Sequence, residues 1–342
     1  MQVYQLLKLN QYIKNHRVKF LGLWVLHILN RRYLSIQFDP VLACNLRCKM
    51  CYFTDAEFIK KLKGIVKKED LEAIAKINFK NAIRLQIGCG AEPTLFKHNI
   101  ELIQLAKKYN IPHISMVTNG NLLSQVDIES FSQNGLNEFI ISMHGVNKDS
   151  YEDLMDKANY QKFHQVLQYI TDEKKQNPNL KLRINYTFNE DNFDELKDFF
   201  PKYEHYAIDV IQLRPIDKIG ETAYNNFSLK KIESIYKTII DDLITQAKSK
   251  KIIFLAPTSI ERTDNLNSVK SSNNSAYLVP YVNCYISPDF FWKKDFDWKN
   301  QSFSQWKKQN NWHTILFKNI FIPKSKLELI NRNMLNYNVD FN

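Results

Sequence analysis

From residue 34 the chain repeats one pattern: a short apolar run, a turn, then a stretch with apolar residues at helical spacing. The strand-like runs are YLSIQFDPVLA (33–43), AIRLQIGCG (82–90), HISMVTNG (113–120), EFIISMHG (138–145), KLRINYTF (181–188) and IDVIQLRPI (208–216). Helical stretches follow them, among them ELIQLAKKY (101–109), DIESFSQ (127–133), KFHQVLQYI (162–170) and NFDELKDFF (192–200). The clearest carries Ile232, Ile235, Tyr236, Ile239, Ile240 and Leu243, the i, i+3, i+4 rhythm of one helix face. Parallel strands need crossover helices between them, so this alternation calls for a parallel sheet. Six strands rather than eight predict an α/β fold, a partial (β/α)6 TIM-like barrel with right-handed crossovers. The chain then divides into a basic helical extension (1–33), the barrel (34–250) and a small aromatic-rich C-terminal cap (251–342).

With 342 residues, 44% of them hydrophobic, the chain can bury a sizeable core. Lys and Arg outnumber Asp and Glu by 47 to 36, a formal charge of +11. Such a balance suits nucleic acid, an anionic membrane or an acidic substrate without choosing among them. Residues 1–38 hold Lys8, Lys14, Arg17, Lys19, Arg31 and Arg32 and no acidic residue. Within them FLGLWVLHIL (20–29) would rise about 15 Å as a helix, half of a ~30 Å hydrocarbon core, so it cannot span a bilayer. The NRRYLS that follows is no signal-peptide cleavage site. Two readings of this segment stand: a helix packed on the main domain, or a basic helix lying on anionic lipid. Its basic residues are not interleaved with a stacking platform, so nucleic acid is not an expected partner.

Three of the five cysteines, Cys44, Cys48 and Cys51, fall within CNLRCKMCY; Cys89 and Cys284 stand alone. An odd, locally clustered set is a poor disulfide framework and reads better as metal ligation in a reducing, cytoplasmic compartment. Structural zinc closes with four ligands, and a fourth would have to come from Cys89, Cys284 or a distant histidine. Three thiolates leave one corner of a [4Fe–4S] cubane open, where a small molecule can bind iron.

CNLRCKMCY, placed directly after a first strand, resembles the signature of the radical S-adenosylmethionine (radical SAM) superfamily. GAEP (90–93) resembles that family's Gly-Gly-Glu-Pro motif, and TNG (118–120) and SMHG (142–145) resemble the motifs ending its third and fourth strands. The resemblance covers residues 34 to about 250. It implies a [4Fe–4S] cluster on Cys44, Cys48 and Cys51, with SAM chelating the open iron. An electron from a one-electron reductant such as flavodoxin or ferredoxin would cleave SAM to a 5′-deoxyadenosyl radical, which takes hydrogen from a substrate. It further implies that Glu92 accepts hydrogen bonds from the SAM ammonium, and that Gly90 allows close backbone approach. Ala91 departs from the usual glycine. Ser142, Thr118 and Asn119, at strand ends, would bind the SAM carboxylate or ribose, or else simply cap turns. Met50 would pack near the adenine. Arg183, Asn185 and Arg214, on the last two strands, need partners if buried, whether SAM, substrate or each other. Leu154 stands where the family often has an arginine.

The tail, YVNCYISPDFFWKKDFDWKNQSFSQWKK, resembles the outline of a SPASM-like domain but keeps a single cysteine, too few for an auxiliary cluster. It reads as a cap whose aromatics line a pocket or fill a small core. Cys284 or Cys89 near the site would be able to return a hydrogen atom to a substrate radical; as buried free cysteines they are small apolar fillers instead. The substrate expected is a small molecule, sugar or lipid-linked metabolite. The alternatives are a peptide or protein maturase lacking auxiliary clusters, and a non-catalytic membrane-associated iron–sulfur protein.

Overall fold

The computed structural model describes residues 3–217, 222–257, 260, 262–263, 266–269, 276–291, 296–330 and 340–341. Ten strands form one sheet: β1 (Leu34–Phe38), β2 (Ala82–Ile87), β3 (Ile114–Thr118), β4 (Glu138–Met143), β5 (Lys181–Phe188), β6 (Val210–Pro215), β7 (Ile253–Ala256), β8 (Asn283–Ser287), β9 (Phe290–Phe291) and β10 (Asp340–Phe341). Their order is β9-β8-β1-β2-β3-β4-β5-β6-β7-β10, with β1 to β7 adjacent in sequence order and all parallel. The sheet is an open, mostly parallel one, a partial barrel. It is wider than the six expected strands. IIFLAP supplies a seventh parallel strand, and β8 adds a parallel strand beside β1, so residues beyond 250 contribute at both edges.

Helices cross between the strands: α3 (Lys68–Asn78), α4 (Asn99–Lys108), α5 (Gln125–Asn134), α6 (Tyr160–Gln176) and α7 (Glu233–Ser249). Local chemistry sets their ends. In α5, Ser124 and Asp127 form a reciprocal capping box, and Gly135 closes the helix at φ 115, a left-handed conformation glycine takes without a Cβ clash. NFDELKDFF gives only a 3₁₀ turn and a short helix, Phe199–Tyr203.

Alternate residues of each strand face opposite ways. On the outer face Ile36, Phe38, Leu85, Met116, Phe139, Ile141, Ile184, Phe188 and Leu213 are buried with helix residues such as Leu71, Leu102, Phe163, Val166 and Tyr236 in one core. Phe139 meets Phe131 of α5 at 6.5 Å between ring centroids, and Phe188 meets Tyr236 of α7 at 6.0 Å. The inner face is mainly polar, with Val117, Ile140 and Val210 as apolar members. Register aligns Gln37, Gln86, Ser115 and Glu138 across β1 to β4, and Ser142, Asn185 and Gln212 across β4 to β6.

The extension 1–33 forms α1 (Val3–Tyr12) and α2 (His16–Ile28). Tyr4 of α1 is buried with Val210 and Leu255 at the N-terminal ends of the strands. Its hydroxyl donates to Glu138, and Arg183 donates to it at 3.3 Å. Thus α1 closes the floor of the barrel. Phe20 of α2 packs on Tyr277 and Tyr281, and Trp24 on His313 and Phe317 of α9 (Trp312–Asn319), which follows α8 (Phe303–Gln309). Arg32 donates to the carbonyls of Phe79, Ala82 and Tyr109, pinning the end of the extension. In the cap Phe296, Phe303, Trp306 and Trp312 are buried in the core rather than lining an opening. Among the described residues no helix is long and apolar enough to cross a membrane.

Candidate active site

The cysteine loop leaves β1 at the C-terminal rim and is held on two sides. Arg47–Cys48 pairs antiparallel with Met155–Asp156, and the Lys49 N–H donates to Leu154 O at 3.0 Å. Glu92 N–H donates to Ala43 O at 2.9 Å, tying the loop to GAEP. All three cysteines are free thiols, half-buried by surface area. Burial pushes Cys44 up to about 11 and raises Cys48 and Cys51; repulsion among the thiolates adds to the rise at Cys44 and Cys48. Three soft donors close enough to repel one another fit an iron–sulfur cluster that supplies the missing positive charge, and Cys44 Sγ accepts from the Leu46 N–H at 3.4 Å. Among the described residues no three His, Cys, Asp or Glu side chains converge on a single-ion site. A cubane takes each thiolate on a different iron, so its ligands stand apart.

Glu92 is the hub of the next loop. Its Oε1 accepts from Thr94 N–H (3.1 Å), Thr94 Oγ1 (2.6 Å) and Thr118 Oγ1 (2.6 Å), while Oε2 accepts from Asn119 N–H (2.9 Å). Burial raises its pKa and these donors oppose the rise. Asn119 Nδ2 donates to Asn45 Oδ1 at 2.8 Å, within the cysteine loop. The sequence motifs Glu92, Thr118 and Asn119 are therefore brought together with the cysteines, but as one mutually bonded network. Only Oε2 retains acceptor capacity beyond a single donor.

Three residues missed by sequence reasoning organise this rim. Asp39, at the end of β1, accepts from Cys89 N–H (2.6 Å), Gly90 N–H (2.9 Å) and Tyr285 Oη (2.8 Å). Tyr52 donates to Gly90 O, and a Cβ on Gly90 would sit 2.7 Å from its hydroxyl, which is why glycine stands there. Gly88 turns the chain out of β2 at φ +83, where a Cβ would lie 2.4 Å from Val117 O. The acid before a proline in QFDP was the available signal for Asp39.

The other expected residues scatter. Met50 is buried in the main core. Ala91 lies in the loop between Gly90 and Glu92, its N–H also turned toward Asp39. Ser142 faces Asn185 on the inner face. Arg183 donates to Asn185 Oδ1 at 2.8 Å and to Gln212, so these residues meet one another and Tyr4 at the floor, away from the cysteines. Arg214 lies higher, beside Thr187, with its charge acting on Cys89 and on His144. Burial, then Arg214, lowers His144 to about 4, so it is neutral.

The two lone cysteines part company. Cys284 pairs with the outer-face residue Ile36, is fully buried, and accepts from Asn78 Nδ2 of α3 at 3.1 Å. That turns its thiol away from the lumen, and the neighbouring Tyr285 points in instead. Hydrogen return by Cys284 is therefore not supported. Cys89 has an exposed surface, yet enclosure, then Asp39, pushes its thiol up to about 12. Its Sγ donates to Gln37 Oε1 of the inner face at 3.6 Å. Two hollows on the outer surface, about 430 Å³ beside Asn159 and Lys162 and about 570 Å³ beside Lys107 and Asn137, contain none of these residues.

Comparison with known proteins points to one family. The family model described as Radical SAM superfamily matches residues 40–203. The "Probable GTP 3',8-cyclase" of Saccharolobus solfataricus is 24% identical over 222 residues, 64% of this chain and 69% of that protein. The protein of the same name from Thermoplasma volcanium is 30% identical over 125 residues, 36% of this chain and 37% of its own length. SuiB of Streptococcus suis bound to S-adenosylmethionine superposes with a TM-score of 0.57 at 16% identity, over 81% of this chain and 64% of that one. Native anSMEcpe with bound AdoMet gives 0.51 at 20% identity, over 64% and 62%. The chain thus spans between about a third and just over two thirds of the relatives it matches. Residues 40–203 carry the match to the radical SAM superfamily, a family of enzymes whose cofactors are a [4Fe–4S] cluster and S-adenosylmethionine.

Proposed function

We propose that the chain cleaves S-adenosylmethionine reductively and removes a hydrogen atom from a small polar substrate held in the barrel lumen. The supporting observation is the joining of the loop that carries the three cysteines to Glu92 through Asn45 and Asn119 on the rim above a largely polar inner face. Cys44, Cys48 and Cys51 would hold the cluster. Bound there, cluster and SAM would supply, with one electron from a reductant, the cleavage of the sulfonium C–S bond. The chain's own part is positional: Asp39 fixes the Cys89–Gly90 backbone, Glu92 fixes the 118–119 turn and offers Oε2 to the SAM ammonium, and α1 closes the floor against water. The relatives' name makes GTP the first compound to try as substrate.

The test is anaerobic reconstitution followed by addition of SAM and dithionite. Wild type should form 5′-deoxyadenosine and the Cys48→Ala variant none. A wild type with full cluster absorbance and no 5′-deoxyadenosine would overturn the reading.

A second, peripheral role has its own observation. The face of α2 turned away from the cap exposes Val18, Leu21, Val25 and Ile28, followed by Leu29, and Phe317 and Phe321 are exposed too. With no acid in residues 1–38, this face suits anionic lipid. Val25→Glu with Ile28→Glu should abolish sedimentation with phosphatidylserine vesicles; unchanged pelleting rules the contact out.

A further inference from the structure

A barrel interior is ordinarily filled with branched apolar side chains. Here it carries Gln37, Arg84, Gln86, Ser115, Ser142, Arg183, Asn185 and Gln212, and two of these have donors that the protein leaves unused. Arg84 Nε and Ser115 Oγ are buried without a hydrogen-bond partner, on the neighbouring strands β2 and β3. Arg84 donates from Nη2 to the neutral Gln86 alone. A buried guanidinium without a full set of acceptors costs free energy unless a ligand completes it.

The surrounding charge is positive. Arg84 and Arg183 repel each other, Lys181 sits 5.7 Å over the Tyr4 ring, and Glu138 is the carboxylate that faces them. That carboxylate is already engaged by Tyr4 and by His113 at 3.0 Å. Lying lower on the strands than the cysteine and Glu92 loops, this floor is separate from the groups proposed to hold SAM.

We propose that the floor of the lumen binds an oxyanion of the substrate, a phosphate or a carboxylate, through Arg84 Nε and the Ser115 hydroxyl. This rests on the reading of the lumen as the substrate chamber. The guanidinium edge gives charge and direction, and the hydroxyl adds a second donor. A substrate anchored by its anionic end at the floor extends its carbon skeleton up toward the cysteine rim. That geometry selects substrates by length as well as by charge.

Calorimetric titration of the reconstituted holoenzyme with bound SAM tests the site, at 150 mM NaCl, with pyrophosphate, GTP, succinate and guanosine as probes. At least one anion should bind at one site per chain, and at a phosphate site guanosine should bind at least tenfold more weakly than GTP. Pyrophosphate binding identifies a phosphate site, and succinate binding alone a carboxylate site. Arg84→Gln should weaken that anion at least tenfold and Arg84→Lys less. Ser115→Ala, a small change expected to keep the fold, should weaken it about threefold, and the surface control Arg17→Gln should leave it unchanged. No anion binding, or equal affinity in wild type, Arg84→Gln and Ser115→Ala, overturns the proposal. The same samples are assayed for 5′-deoxyadenosine. Anion binding without SAM cleavage defeats the proposed chemistry and leaves the site standing; cleavage without anion binding does the reverse.

Discussion

One sheet presents two unlike faces. Outward, Phe38, Phe139, Ile184 and Phe188 are fully buried beneath helices; inward, glutamines, asparagines, serines and arginines line a lumen. Strand alternation separates them, so stability is concentrated on one side and chemistry on the other. Apolar packing tolerates no gap, whereas a polar lumen keeps donors for a ligand at a cost in stability.

The largest effect should come from the outer face. Phe139→Ala should lose about 3–5 kcal/mol in urea unfolding, while Gln37→Ala on the inner face should cost no more than about 1 kcal/mol. Equal losses would erase the distinction between the faces.

The floor, a charged part of the inner face that also serves stability, sharpens it. Burial by itself would raise the Glu138 carboxyl, but the His113 hydrogen bond and the Arg183 charge bring it down to about 2. A carboxylate depressed in the folded state stabilises fully above its unfolded value, about 4.3, and loses that contribution as pH falls toward 2. Glu138→Gln should cost about 3 kcal/mol at pH 7. Its difference from wild type should shrink as the pH is lowered from 4.5; a constant difference would contradict the assignment.

At the rim, Glu92→Gln places an NH₂ against donors and should cost about 2 kcal/mol while abolishing SAM cleavage. Retained 5′-deoxyadenosine formation would show that the carboxylate serves the loops alone. A smaller change than Glu92→Gln is Tyr4→Phe, which removes the hydroxyl shared by Glu138 and Arg183 and keeps the ring. It should lower stability by about 1–2 kcal/mol, and an unchanged midpoint would mean that α1 is held by packing only.

Local signals carried much of this. The cysteine spacing, GAEP, TNG and SMHG lie within a few residues of strand ends, and alternation placed those ends on one rim. The roles of Asp39 and Tyr285 were not legible, because their bond joins residues 246 apart in the chain. Cys284 shows the same limit from the other side. A one-residue slip in register exchanges the faces of a strand, and only the pairing of Ile36 with Cys284 sends Tyr285 inward.

By itself the sequence determined the parallel α/β core and the resemblance to the radical SAM family, since strand period, crossover length and thiol spacing are properties of short stretches. Tertiary structure alone decided that β8 joins the sheet beside β1, that Tyr4 stoppers the floor, and that Arg84 and Ser115 are left with unused donors in a shared lumen. These depend on which distant segments pack together, and packing is a sum over contacts that no local window contains.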